Sequence, residues 1–453
     1  MKPENLIYTF VSYASHYDKP WGQGVALEGI DRTAQLAHKY GIPVTWIVNA
    51  DSVPVLADRI RDWHKRYGDD VILQTPFFIE DAGADKGKFK KALEDSWRVV
   101  EAAFPWAKTK VAARGKIYNE VIEVLEELGF KGMWGYCWEQ VWWDGITHKG
   151  IPWGSWYVDS NRFNAPHPGK GGVVACEWTA RDLNLTYHSG SPVIYSTDPD
   201  DVYRAGLCSE DNIEYWKNLF HGYLENTDHN DQVYFLQQQE GHEMEFTERF
   251  SVFNAAQVVA CGDMLDRFFA YISSYPISLT TLPKAIELYH AHNEVTAPSY
   301  MLTQDTLIRP EINDYTMALG GAGFGPWPET FLYYDQACQM AFVKGECKPH
   351  MLRNYLAADN SNNEFKEEIP QVFVTGYSKT EHHIELTYAI DCEKPIPFGL
   401  VYWDDLSGFE VASSPQVIEV KLIKDKLAFI RFDLTGGHTQ LTLTLSKKDR
   451  LTL

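Results

Sequence analysis

The sequence predicts an α/β protein: a distorted (β/α) barrel of seven to eight strands followed by a C-terminal antiparallel β-sandwich. Three observations predict it. From residue 5 to about 290, short apolar strands alternate with amphipathic helices, the rhythm of a mainly parallel sheet. The first strand delivers His16, Asp18 and Trp21 just past its carboxyl end, where α/β barrels place functional groups. Beyond residue 366 the pattern changes to short alternating strands.

The elements follow in order. Strand 6–11 leads to a helix over 26–40, with Leu27, Ile30, Ala34 and Ala37 at helical spacing and Gly41 and Pro43 as its stop. Strand 44–48 precedes a helix near 54–66, strand 71–73, a helix from about 88 to 103, and strand 110–113. A helix over 119–128 puts Val121, Val124, Leu125 and Leu128 on one face, stops at Gly129 and feeds a strand at 132–137.

Residues 140–208 break this rhythm. Trp142, Trp143, Trp153 and Trp156 lie there among glycines and prolines around short strands such as 173–178, as in insertions that roof the carboxyl-end face of a barrel. The repeat resumes with a helix near 211–224, strand 232–237, a long helix from about 248 to 271, strand 277–280 and a helix over 282–291. Residues 295–360 read as irregular before and around a helix over 330–342. Strands at 371–375, 383–389, 398–403, 416–422, 427–434 and 440–445 make the sandwich. The domains are then 1–295, the barrel with its insertion 140–208; 296–365, an irregular and helical connection; and 366–453, the sandwich.

Composition narrows the function. With 62 acidic against 41 basic residues the formal charge is −21, which repels a phosphate backbone and sets nucleic acid aside. Seven cysteines without CxxC spacing indicate neither a disulfide framework nor a cysteine zinc site. A short amino terminus without a secretory pattern, and the lack of a membrane-length apolar run, give a cytoplasmic expectation with no membrane partner. Aromatic residues make up 14% of the chain, a richness that suits stacking on sugar rings and also fills large cores. There is no P-loop, no GxGxxG after the first strand and no GxSxG.

Two stretches carry a resemblance. Residues 33–48, TAQLAHKYGIPVTWIV, and 111–136, VAARGKIYNEVIEVLEELGFKGMWGY, resemble the polysaccharide deacetylase (NodB-homology) domain over about two thirds of the chain. The departures are specific. The Asp-Asp pair that such deacetylases carry after the first strand reads Thr9-Phe10-Val11-Ser12 here, and their His-x-x-x-His motif after the third reads Gln74-Thr75-Pro76-Phe77-Phe78. The same superfamily holds zinc-dependent α-mannosidases, whose first strand ends in a His-x-Asp segment followed by Trp. His16-Tyr17-Asp18-Lys19-Pro20-Trp21 is similar to that segment, which implies metal binding by His16 and Asp18. A related amylase and glucanotransferase family uses two carboxylates and no metal.

Glycosidic cleavage needs one carboxyl group as acid and a second as nucleophile or base. Glu139, just past strand 132–137, is a nucleophile or acid at the barrel mouth, or an acid hydrogen-bonded in a loop. Glu177 sits in an apolar strand, where burial suits a general acid and a salt bridge to Arg181 or Arg114 is the alternative. In Gln237-Gln238-Gln239-Glu240-Gly241-His242-Glu243 a strand end presents an acid and an imidazole together, with a helix cap by Glu243 and Glu245 as the alternative.

If a divalent metal such as zinc is bound, His16, Asp18 and His242 supply ligands, completed by Glu139 or Glu240. Arg114 favours an ionised carboxylate nearby or makes a structural ion pair. Residues 198–201, Asp-Pro-Asp-Asp, read as a turn and helix start and are assigned no chemistry.

The expectation is therefore hydrolysis of a glycosidic bond in a carbohydrate substrate. Glu139 and Glu240 are the carboxylate pair, Glu177 the reserve, and Trp21, Trp138, Trp142, Trp178 and Arg114 the substrate contacts. The alternatives are a metal-dependent deacetylase with relocated ligands and a non-catalytic carbohydrate-binding protein. For the sandwich, sugar binding, packing on the barrel and homo-oligomerisation all stay open.

Overall fold

The computed structural model describes residues 1–15, 25–113, 118–138, 146–148, 155–167, 170–180, 198–204, 206–228, 230–246, 254–296, 331–335, 340–344, 371–392, 396–412, 417–423, 425, 427–434 and 437–448. The described elements fall into two compact units, those up to residue 296 and those from residue 331 on.

The first unit runs β1 (Leu6–Tyr13), α1 (Leu27–Lys39), β2 (Val44–Val48), α2 (Val53–Tyr67), β3 (Asp70–Gln74), α3 (Lys86–Ala103), β4 (Val111–Ala113), α4 (Asn119–Glu127) and β5 (Gly132–Trp138). Three short strands follow, β6 (Ile146–His148), β7 (Ser155–Asp159) and β8 (Arg162–Pro166), then β9 (Val174–Glu177) and α5 (Pro199–Arg204). It ends with α6 (Glu214–Glu225), β10 (Val233–Glu240), α7 (Ala255–Ile272), β11 (Ser278–Thr280) and α8 (Leu282–His292).

Among the described residues β10, β1, β2, β3, β4, β5 and β9 lie side by side in that order, each pair parallel. Just past β9, the Ala180 N–H donates to the Leu236 carbonyl of β10 at 2.6 Å, bringing the two ends of the row together. This is the distorted barrel the sequence predicts. β7 pairs antiparallel with β9 and β8.

Gly41 and Gly129 stop helices where expected, with φ of 69° and 75°; Gly68, which the sequence reading did not single out, ends α2 at φ 83° and donates its N–H to the His64 carbonyl.

Strand alternation separates two faces. Ile7, Val11 and Tyr13 of β1 share an interior cluster with Ile47, Ile72, Val111, Ala113, Trp134, Val174, Cys176, Trp178, Tyr234 and Leu236. The other face packs on helices, as where Phe10 meets Phe269 of α7 at 5.0 Å. Leu282, Ala285, Ile286 and Tyr289 of α8 join the interior cluster from the amino ends of the strands. A Cβ at Gly132, the first residue of β5, would lie 2.3 Å from Ile286 Cδ1, so glycine there makes room for this plug. The Leu282 N–H donates to Thr45 Oγ1 at 2.9 Å. Functional groups are left the opposite, carboxyl end.

The second unit has β12 (Phe331–Asp335), β13 (Met340–Lys344), β14 (Gln371–Lys379), β15 (His383–Cys392) and β16 (Ile396–Trp403), then β17 (Phe409–Val411), β18 (Val417–Ile423), β19 (Leu427–Leu434) and β20 (Gly437–Lys447). Its sheets have the orders β12-β13-β16-β19-β18 and β14-β15-β20-β17. Pairing is antiparallel except between β13 and β16. Ile384, Leu386, Tyr388 and Ile390 alternate as buried residues along β15, as do Leu441, Leu443 and Leu445 along β20.

The expected helix over 330–342 is corrected to the strand pair β12 and β13, joined antiparallel from Phe331 with Lys344 to Asp335 with Met340. The run Phe331-Leu332-Tyr333-Tyr334 has the aromatic content that a pleated surface accepts better than a helix.

Candidate functional site

The carboxyl end of β10 collects the titratable side chains. Val11 pairs with Gln238 and Tyr13 with Glu240. Val11 and Tyr13 face the interior, and laterally paired residues share a face, so Gln238 and Glu240 point inward on successive layers. The Glu240 side chain is 13% exposed at the mouth.

The chain then turns through a short 3₁₀ helix, Gly241–Met244. Glu240 and Glu243 cap it reciprocally: the Glu240 side chain accepts from the Glu243 N–H, and Glu243 Oε2 accepts from the Glu240 N–H at 3.0 Å. Glu243 also accepts from the Gln239 amide. The alternative reading, a solvated cap made of Glu243 and Glu245, is corrected: Glu240 and Glu243 make the cap, and Glu243 and Glu245 are buried.

Close packing fixes the turn. A Cβ on Gly29 would stand 1.8 Å from the Gly241 carbonyl oxygen, and one on Gly241 would stand 2.8 Å from the Tyr13 carbonyl oxygen. The Gly29 N–H donates to Glu245 Oε2 at 3.2 Å, and Arg32 donates to the Met244 carbonyl while its guanidinium lies 3.9 Å from the Phe246 ring centroid.

Two acids from the insertion complete the cluster. Asp198 and Asp200, each 2% exposed, flank the start of α5, and the Gln238 amide donates to Asp198 Oδ2. Burial first, and then Asp200, Glu240 and Asp198, push the Glu243 carboxyl well above the usual carboxylate range. The helix start read at 198–201 is present, but the sequence reading missed the approach of its acids to β10. Nothing in their local spacing signals it, because the contact is made across 40 residues.

The other expected site residues are distributed as follows. His16, Asp18, Trp21, Arg114, Glu139 and Trp142 lie outside the described residues. Trp138 is the last residue of β5. Glu177 is buried on β9, and alternation places it opposite Cys176 and Trp178, which face the interior. The Trp178 ring is 4% exposed among core residues. Trp134 Nε1, Trp178 Nε1, Gln74 Oε1 and Gln238 Oε1 are buried without hydrogen-bond partners among the described residues. Cys176 is no nucleophile in this setting, since burial pushes its thiol up to about 12.

Glu240, His242 and Glu243 each offer one donor atom, all within 4.8 Å of one another, and His242 Nδ1 lies 3.3 Å from Glu240 Oε2. One imidazole nitrogen and two carboxylate oxygens are a donor set suited to a zinc-class ion.

No family model matches the sequence, and no curated protein matches it. Solved structures do. One assigned as a polysaccharide deacetylase from Mycobacterium smegmatis is 12% identical, covering 67% of this chain and 96% of its own, with a TM-score of 0.41. The Puue allantoinase is 13% identical, covering 65% of this chain and 93% of its own, at 0.43. The 4-α-glucanotransferase from Thermococcus litoralis is 11% identical, covering 98% of this chain and all 100% of its own, at 0.42. Deacetylases, which the sequence resembles, and a glucanotransferase are thus among the solved structures to which this chain is similar.

Proposed function

We infer that the chain hydrolyses a glycosidic bond in an oligosaccharide or glycoside, with Glu240 as one of two carboxyl groups at the barrel mouth. The supporting observation is the inward, nearly buried Glu240 carboxyl at the carboxyl end of β10, fixed by a packed turn and accompanied by further acids. The reaction needs a proton for the leaving oxygen and a second carboxylate about 5–9.5 Å away to engage water or the sugar carbon. Glu139 is the partner the sequence nominates; its expected reserve, Glu177, is set aside because alternation along β9 turns it away from the interior that Cys176 and Trp178 face. Trp21, Trp138 and Trp142 offer stacking faces, and Arg114 a counter-charge.

The test is product release from a panel of 4-nitrophenyl glycosides and reducing-end release from oligosaccharides. Glu240→Gln is expected to lower kcat by about 10²- to 10⁴-fold with KM little changed. Equal turnover by the folded variant overturns the assignment, and sugar binding without any turnover favours a carbohydrate-binding protein.

The Glu240, His242 and Glu243 donor set favours a second reading, a metal-dependent sugar deacetylase in which His16 and Asp18 add ligands. A zinc-class ion would supply Lewis-acid polarisation of the acetyl carbonyl. Plasma mass spectrometry of the purified protein and of His16→Ala and His242→Ala separates the two. Stoichiometric metal lost in the variants favours the deacetylase, and a metal-free protein that cleaves glycosides sinks it.

A further inference from the structure

We propose that Asp198, delivered by the insertion, is the catalytic carboxylate that works with Glu240. This rests on the hydrolase reading and names a second acid for it. Gln238 and Glu240 point inward two residues apart on one strand, a spacing of about 6.6 Å. Asp198 accepts from the amide tip of Gln238, whose strand position is one inward layer below Glu240, and its carboxylate is assigned to the same mouth. Two residues of strand rise separate Gln238, which holds Asp198, from Glu240, a backbone spacing compatible with the about 5–9.5 Å between carboxyl groups that glycosidases use.

A second observation marks this spot as a place for a ligand. Gln238 is 1% exposed, and while its amide nitrogen is engaged by Asp198, its Oε1 has no partner among the described residues. A buried amide oxygen left open beside two carboxyl groups is an acceptor for a substrate hydroxyl. Gln238 donates to Asp198 Oδ2; the proton is assigned to Glu240 at the rim and the base or nucleophile role to Asp198.

In the reaction Glu240 gives its carboxyl proton to the glycosidic oxygen as the C1–O bond breaks and the electron pair leaves with that oxygen. In a single displacement Asp198 takes a proton from the water whose oxygen bonds to C1. In a double displacement Asp198 itself bonds to C1 and is released when water, deprotonated by the Glu240 carboxylate, replaces it.

The experiment compares wild type, Asp198→Asn, Asp198→Glu, Glu139→Gln and Glu240→Gln, each checked for folding by circular dichroism and melting. It measures turnover of the best 4-nitrophenyl glycoside and calorimetric affinity for protonated deoxynojirimycin-type iminosugars of gluco, manno and galacto configuration. Expected are a loss of about 10²- to 10⁴-fold in kcat for both Asp198→Asn and Glu240→Gln, and at least a tenfold loss of iminosugar affinity in each. A folded Asp198→Asn that keeps full turnover while Glu240→Gln does not overturns the Asp198 role and leaves the hydrolase reading standing. The same pattern with loss in Glu139→Gln gives the role to Glu139. Wild type that neither turns over any glycoside nor binds any iminosugar overturns both. Should Asp198→Asn fail to fold, the longer arm of Asp198→Glu decides: retained folding with lost turnover supports the proposal, and full turnover sinks it.

Discussion

Asp69, fully buried just before β3, accepts the Val44 N–H at 3.1 Å and the Trp46 indole N–H at 2.7 Å, and lies 2.9 Å from His38 Nε2. One carboxylate thus ties α1, β2 and the start of β3 together. Asp69→Ala strands all these donors at once, and a loss of about 3–5 kcal/mol in urea unfolding is expected. Loss under about 1 kcal/mol, the worth of one ordinary hydrogen bond, refutes the role.

Its neighbour Asp70 behaves differently. Burial, the main cause, raises its carboxyl from 3.8 to about 6. Between those values the folded chain holds a proton that the unfolded chain releases. Stability therefore falls as pH rises through this window, and above it the ionised buried group costs about 3 kcal/mol. Asp70→Asn is expected to raise stability at pH 7.5, to give no gain near pH 3.5 and to flatten the slope between; an unchanged pH profile of unfolding free energy contradicts this.

At the scale of elements, the turn after β10 depends on contact between α1 and Gly241. Gly29→Ala forces a carbon against the Gly241 carbonyl and shifts the segment carrying His242 and Glu243. A cost of about 1–3 kcal/mol is expected, with a larger fall in kcat than in affinity for substrate. Unchanged melting and turnover would show that the turn yields freely.

The same elements show what the sequence made legible. Gly41 and Gly129 marked the helix ends because positive φ is a local requirement visible in residue type. Glu240 could be read as a strand-end acid because β10 is an apolar run ending in polar residues. β12 was misread because a short aromatic run has no decisive period until its partner β13 is known. Asp198 was passed over because its meaning lies in Gln238, which chain position alone does not bring near. His16, Asp18 and Glu139 lie outside the described residues, so their expected roles rest on sequence.

At the scale of the molecule, α8 fills the amino end of the first unit and the titratable groups gather at the other, so chemistry and stability occupy opposite ends of the strands. The junction between Ala180 and Leu236 has a dynamic consequence. The lateral pairings of β1 run the length of the strand, with eight registered residues toward β10 alone, whereas among the described residues the backbone link from the β9 side to β10 is one bond. A ring breathes first at its thinnest weld. The Ala180 amide should therefore exchange with deuterium in a subglobal opening, well ahead of the β1 amides, which wait for global unfolding. Equal protection at both places would mean the ring opens only by unfolding. Early exchange would identify a hinge-like slit bordering β10, through which the interior polar groups meet solvent without loss of the fold.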